Sequence, residues 1–234
     1  MFTKSAKFYD AIYHFKDYKE ASDKLHKLIK SHNAAAKTLL DTACGSSKHL
    51  EYLEEHFETH GLDINEELLD IAKQRCPRSV FHIADVSGFS LEKKFDVITC
   101  LFSSIGYVKT EEKLYNSLRY MYEHLNPGGL VIIEPWFNKE NYRTGTITAN
   151  HYEEPDLKIT WMYTSEIIND LSVLDINYLV GTPDEVTHFK EKHEIGLFSD
   201  EQYRKAFTDT GLEVYYDSVG LFGRGMYVGV KNST

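Results

Sequence analysis

Three acidic residues stand at or just beyond the ends of three short apolar runs: Asp41 in TLLDTA, Asp63 in THGLDI and Asp85 in SVFHIAD. A glycine-containing turn, DTACGSS, follows the first of them, and Gly45 lets a chain turn tightly and lets a ligand approach the backbone. An acidic side chain about twenty residues after such a turn can accept hydrogen bonds from both hydroxyls of a ribose, which is the chemistry open to Asp63. Asp85 stands where a carboxylate can accept from an adenine amino group. The turn lacks the lysine of a phosphate-binding P-loop and the full GxGxxG of a dinucleotide site. Taken alone it serves equally well as a plain strand–helix turn. With three carboxylates at three successive strand ends, and no loop that gathers cations around a triphosphate, the pattern fits an adenosine without a phosphate chain. S-adenosylmethionine is such a ligand.

The elements that must position these residues follow from periodicity. Residues 1–32 read as helical, with Phe8, Tyr9, Ile12, Tyr13 and Phe15 and then Leu25, Leu28 and Ile29 at helical spacing. From 38 to 137 strands alternate with helices: TLLDTA, the helix SSKHLEYLEEHF, THGLDI, the helix NEELLDIAKQRC capped by Asn65, SVFHIAD, FDVITCLFS, the helix TEEKLYNSLRYMYEHL capped by Thr110, a turn at NPGG, and LVIIEPWF. The strands are apolar without alternation, which predicts an α/β fold with a doubly wound, Rossmann-like parallel sheet covered on both faces. KITWMYTSEII, SVLDINYLV and EVTHFKEKHEI then read as antiparallel strands inserted after the fifth strand. A helix at SDEQYRKAFTDTGL, with Ser199 as cap and Gly211 as stop, precedes a final strand pair in EVYYDSV and GMYVGV. The organisation is therefore 1–137, a helical lid and ligand-binding core; 138–196, an antiparallel insertion on the substrate side; and 197–234, which completes the core sheet.

Composition narrows the partners. The 234 residues carry a formal net charge of −10, which disfavours a nucleic-acid surface but not a small ligand held by a few local cations. The three cysteines Cys44, Cys76 and Cys100 form no CxxC and leave an odd count, reading as reduced thiols of a cytoplasmic protein. No targeting segment and no run long enough to span a bilayer is read. His188 and His193 lie in an insertion strand, facing the substrate cleft or solvent, and no cysteine or carboxylate cluster joins them into a metal site, so no metal is expected. His124, beside NPGG, reads as a charge at a helix C-terminus.

YDAIY with KDY, LLDTACGSSKHLEYL, FDVITCLFSSIGY, EHLNPGGLVIIEPWF, HEIGLFSDEQYRKAFTDTGLEV and the terminal GRGMYVGV run through essentially the whole chain. With them the sequence resembles the class I S-adenosylmethionine-dependent methyltransferases, and more narrowly the N,N-dimethyltransferases of nucleotide-linked amino-deoxysugars. The departures are Ser47 for the usual last glycine of the first loop, Asp63 for a usual glutamate, and Val86 for a usual methionine. The resemblance implies that Tyr9, Tyr18, Asp41, Ala43, Gly45, Asp63, Ile64, Asp85, Val86 and Leu101 hold the cofactor, Tyr9 and Tyr18 as parts of an N-terminal lid. It implies that Tyr107 faces and orients the reacting amine, and that Ser103, Trp136 and Arg224 meet the substrate, Arg224 as a phosphate clamp between two glycines. Expected partners are a small-molecule nucleotide-linked amino sugar and a second copy of the chain in a homodimer, with neither nucleic acid nor membrane. Two rivals stay open: another small amine or hydroxyl acceptor, such as glycine or a polyamine, and a non-catalytic protein of the same fold.

Overall fold

The apolar runs of the core are strands because both of their faces are covered. In β1 (Thr38–Thr42) the neighbouring Leu39 and Leu40 are both fully buried, on opposite faces. The computed structural model describes residues 4–233; residues 1–3 of the expected N-terminal helix, and residue 234, lie outside the described residues. With β2 (Glu58–Asp63), β3 (Val80–Ile83), β4 (Phe95–Cys100), β5 (Leu125–Ile133), β10 (Leu212–Asp217) and β11 (Met226–Lys231) the sheet has the order β10-β11-β5-β4-β1-β2-β3. β1 through β5 pair parallel, and β11 runs antiparallel between β5 and β10.

One face of the sheet packs Leu40, Leu62, Ile98 and Val131 against α5 (Glu111–Glu123) and α6 (Asp200–Asp209), through Leu114, Leu118, Met121 and Phe207. The other packs Leu39, Val97, Leu130 and Ile132 against α2 (Tyr18–His32) and α3 (Leu50–Leu53). α4 (Glu66–Arg75) carries the chain from β2 to β3, and Asn65 caps it by accepting from Leu68 N. The order reverses at β1, so the ligand crevice of such a sheet lies beyond the carboxyl ends of β1 and its neighbours.

The insertion is a separate four-stranded antiparallel sheet, β6 (Ile147–Glu154), β7 (Leu157–Ile168), β8 (Leu171–Gly181) and β9 (Val186–Gly196). Its inner face buries Ile159, Trp161, Tyr178 and Val180 against Ile12, Phe8 and Tyr13 of the N-terminal segment.

Several elements differ from the sequence-based expectation, each for a local reason. The N-terminal helix is broken into a 3-10 turn at Ala6–Phe8, α1 (Tyr9–Ile12) and α2, because the Asp17 side chain accepts from Glu20 N and starts a new helix. The helix expected over 46–57 is regular only through α3, since Ser47 sits in left-handed backbone at φ 60°. β6, whose burial alternates weakly, is a fourth insertion strand that the apolar runs did not reveal. The NPGG turn is an interruption inside β5, where the register jumps from Phe95↔Leu125 to Val97↔Leu130. His124 is no helix-end charge. Its Nε2 accepts from Leu91 N at 2.9 Å and its Nδ1 donates to Tyr120 O at 2.7 Å, a buried arrangement that requires the neutral ring.

Candidate active site

The loop after β1 is held open from below. Ala43, Gly45 and Ser47 all take positive φ, and Asp63 Oδ2 accepts from Gly45 N at 2.8 Å while Oδ1 accepts from Asn65 N at 2.8 Å. Asp63 thus ties the ends of β1 and β2 together. Burial raises its pKa against three backbone hydrogen bonds that lower it. Asp41, inside β1, accepts from Thr99 Oγ1 at 2.7 Å, and burial pushes it up to about 7. Asp85 lies two residues past β3 on the surface, its Oδ1 accepting from the Ser87 backbone and hydroxyl.

These groups border two connected hollows. A cavity of about 120 Å³ is lined by Asp63, Ile64, Leu68, Asp85, Val86 and Val108, together with Ala43, Gly45, Tyr9 and Tyr107. Beside it, Asp41, Ala43, Tyr18, His49 and Leu101 line a small recess. Tyr18 Oη and His49 Nε2 are buried there without a hydrogen-bond partner among the described residues. Burial, with Lys16 nearby, drives His49 down to about 3, so its ring is neutral.

An adenosyl group with an amino-acid tail fits this layout. The long cavity offers an apolar slot with carboxylates at its edge. The recess offers a buried carboxyl, a hydroxyl and a ring nitrogen whose hydrogen-bonding capacity is unused, the kind of groups a charged amino-acid tail engages. His49 carried no signal in the sequence beyond its place after SSK.

The substrate-side groups lie around a second cavity of about 520 Å³ between the core and the inserted sheet. Tyr9, Ser104 and Tyr107 border both this cavity and the smaller one. Arg224 is largely buried, donates to Ser103 Oγ at 2.9 Å, and lies 4.8 Å from the Trp136 ring centroid and 5.1 Å from that of Phe137. Its flanking glycines have positive φ, and a side chain at 225 would meet Tyr216 Oη at 2.0 Å. Trp136 donates from Nε1 to Ser172 Oγ at 2.8 Å, which fixes its ring across the core–insertion boundary.

Lys16, which sequence reasoning missed, sits 3.4 Å from the Phe102 centroid and 3.6 Å from that of Phe222. Burial lowers it to about 7, opposed by Glu134 and reinforced by Arg224. Glu134 is fully buried, and its Oε2 accepts from Phe102 N at 2.7 Å. It secures a strained corner, where Phe102 and Ser103 both lie in left-handed backbone.

The 3-10 segment Ser104–Val108 leaves that corner and packs so closely on β9 that a side chain at Gly106 would meet Ile195 Cγ2 at 2.3 Å. The contact brings Tyr107 Oη to 2.6 Å from His193 Nδ1. Burial holds the Tyr107 phenol well above its ordinary range, and lowers the His193 imidazole against an opposing hydrogen bond that its ring donates to Glu191. Among the described residues no group of three or more potential metal ligands occurs, and no helix is long and apolar enough to cross a membrane.

A family model for a methyltransferase domain matches residues 39–129. The dTDP-3-amino-3,6-dideoxy-alpha-D-glucopyranose N,N-dimethyltransferase of Streptomyces fradiae is 37% identical over 232 residues, covering 97% of this chain and 91% of the relative. The crystal structure of Streptomyces venezuelae DesVI superposes with a TM-score of 0.92 at 34% identity, covering 99% of this chain and 100% of that one. The S-adenosylmethionine-bound CalS10 of Micromonospora echinaspora, an amino pentose methyltransferase, superposes with a TM-score of 0.88 at 26% identity, covering 99% and 98%.

Proposed function

The chain belongs to the dTDP-amino-sugar N,N-dimethyltransferase family of S-adenosylmethionine-dependent enzymes, and on that premise we propose how its two cavities divide the work. The smaller cavity and its recess take the cofactor: Asp63 the ribose hydroxyls, Asp85 and Val86 the adenine, Ile64 one face of the base, and Asp41, Tyr18 and His49 the amino-acid end. The larger cavity takes a deoxyamino sugar carried on a nucleoside diphosphate. Arg224 and Lys16 balance the diphosphate charge, and Trp136 offers an aromatic face to the sugar or base.

The cofactor supplies an electrophilic methyl group on a sulfonium, which a neutral amine displaces in line. This chain's residues supply geometry. Tyr107 borders both cavities with its hydroxyl 2.6 Å from His193 Nδ1, and with its proton directed to that nitrogen its lone pairs accept an amine N–H. That contact turns the nitrogen lone pair toward the methyl group, and positioning of this kind contributes much of the acceleration in a displacement reaction. Tyr9 and Ser104 close the same junction.

The meeting of the two cavities at Tyr107, with Lys16 and Arg224 over aromatic rings in the larger, carries this reading. It is tested by incubating the protein with S-adenosylmethionine and a thymidine-diphosphate amino sugar, and in parallel with glycine and polyamines, followed by mass spectrometry. Mass gains of one and two methyl groups on the nucleotide sugar are expected. Methylation of the small amines with the nucleotide sugar untouched would overturn the reading of the substrate.

A further inference from the structure

Glu191 and His193 lie two residues apart on β9, so both project from the inner face of the inserted sheet, and both are buried. The intervening Lys192 and the exposed Lys190 project from the other face, and Glu194 pairs with Lys109 at 2.7 Å. His193 Nδ1 is 2.6 Å from Tyr107 Oη, and His193 Nε2 is 3.5 Å from Glu191 Oε2. Glu191 is itself anchored: Oε1 accepts from Ser5 N at 3.0 Å, and Oε2 accepts from the Ser5 hydroxyl. Among the described residues the phenols around this line are Tyr9 and Tyr13 at the two ends of α1 and Tyr178 on β8, all held un-ionised by burial. A carboxylate, an imidazole and a phenol therefore form one chain that begins under the N-terminal segment and ends where the two cavities meet.

We propose that His193, held by Glu191, accepts through the Tyr107 hydroxyl the proton that a once-methylated amine must lose before it can be methylated again. The inference rests on the amine-methylating reading above. A primary amine that has gained one methyl group is a cation with no lone pair. An N–H bond of that ammonium breaks as an O–H bond forms on Tyr107, and the phenol's own O–H bond breaks as an N–H bond forms on His193 Nδ1. The positive charge moves from the substrate nitrogen to the imidazole, beside the Glu191 carboxylate. His193 borders the larger cavity, from which solvent takes the proton when product leaves. One acceptor suffices, because the twice-methylated product leaves as its own ammonium. The direction requires the Nε2–H tautomer, with Nε2–H toward Glu191 and the Nδ1 lone pair toward Tyr107. His193 is a positioning residue in this scheme, since Tyr107 alone meets the substrate.

Two measurements test it. In the ligand-free protein, ¹⁵N NMR of labelled histidines reads the tautomer: Nε2–H at His193 is expected, and Nδ1–H would overturn the proposal. In turnover of a thymidine-diphosphate amino sugar, His193→Asn keeps an acceptor for the Tyr107 proton without basicity, and Glu191→Gln keeps the shape of its partner. Each should lower kcat at pH 7 by roughly 10–100-fold, at or below the usual range for a general base. KM and the affinity for S-adenosylhomocysteine should stay within about twofold, which also certifies folding. Monomethylated product should accumulate, and the loss should shrink as pH rises toward the substrate's own ammonium range. Wild-type turnover with an unchanged pH profile and product ratio in both variants overturns the relay alone. A wild type that methylates no nucleotide-linked amino sugar overturns the functional reading, and the relay falls with it.

Discussion

The two sides of the cleft are built in opposite ways. The cofactor side draws Asp41, Gly45, Asp63 and Asp85 from one stretch of chain and places them at neighbouring strand ends. Its carboxylates stand among backbone groups, the Tyr18 hydroxyl and the neutral His49 ring, and Asp63 serves as a brace of the loop as well as a candidate ligand. The substrate side gathers Lys16, Phe102, Trp136, His193 and Arg224 from five distant parts of the sequence. Lys16 and Arg224 lie there over aromatic rings, with the buried Glu134 close enough to interact with both, while Asp17, Glu20 and Lys24 also line the hollow. In the proposed reading the carboxylates of one side meet the ammonium of the cofactor, and Lys16 and Arg224 of the other meet the diphosphate of the substrate.

The comparison breaks most sharply at Asp63. Asp63→Ala removes the brace on Gly45 N together with the proposed ribose contact. S-adenosylhomocysteine affinity by calorimetry should fall by about 1.5–3 kcal/mol, the worth of one hydrogen bond to a charged group, or more if both terms are lost. KM for the nucleotide sugar should hold. Equal cofactor affinity in wild type and variant would remove Asp63 from the site.

Arg224→Ala is the reciprocal cut. It should raise KM for a nucleotide-linked amino sugar by roughly tenfold or more, as expected for a lost charge-assisted contact, and leave cofactor affinity unchanged. Steady-state kinetics with calorimetry reads both. A fall in cofactor affinity instead would mean that the two sides are not separable.

The pH dependence of the two sides should run in opposite directions. Lys16, lowered to about 7, loses its charge as pH rises, so KM for the diphosphate-linked substrate should climb several-fold between about pH 6.5 and 8.5. Lys16→Arg should flatten that climb. A KM profile identical in wild type and Lys16→Arg would release Lys16 from substrate binding.

The smallest effect belongs to Asp41, raised from 3.8 to about 7 by burial. The ammonium of the cofactor's amino-acid end favours its ionised form, so affinity should weaken a few-fold as pH falls from 8 to 6, measured by titration calorimetry. Stability has the opposite sign. A carboxyl with a raised folded value contributes fully below about pH 4, and that contribution is lost as pH rises through about 7. Asp41→Asn should therefore raise Tm at pH 8 in the ligand-free protein while weakening cofactor binding.

The succession of the core strands, the caps at Asn65, Thr110 and Ser199, and the shift from parallel to antiparallel strands were legible in the sequence, because each depends on residues within one turn or one strand of each other, whereas strand ends such as those of β3, β4 and β5 were not. The same locality made DTACGSS and Asp63 readable as a ligand loop, and let GRG mark Arg224. His193 was read as facing the substrate cleft or solvent, whereas Glu191, on the same apolar phase of an alternating strand, had a local signal that went unused. Lys16 had none. Its role comes from lying between Phe102 and Phe222, which are 86 and 206 residues further along the chain. The break before Asp17 aims Lys16 into the cleft, and the left-handed corner at Phe102 and Ser103 turns Tyr107 onto β9. Periodicity and capping are properties of neighbours in sequence, whereas burial, charge pairing and the meeting of two cavities are properties of neighbours in space. Only the packed inserted sheet brings Tyr107, His193 and Glu191 into one line.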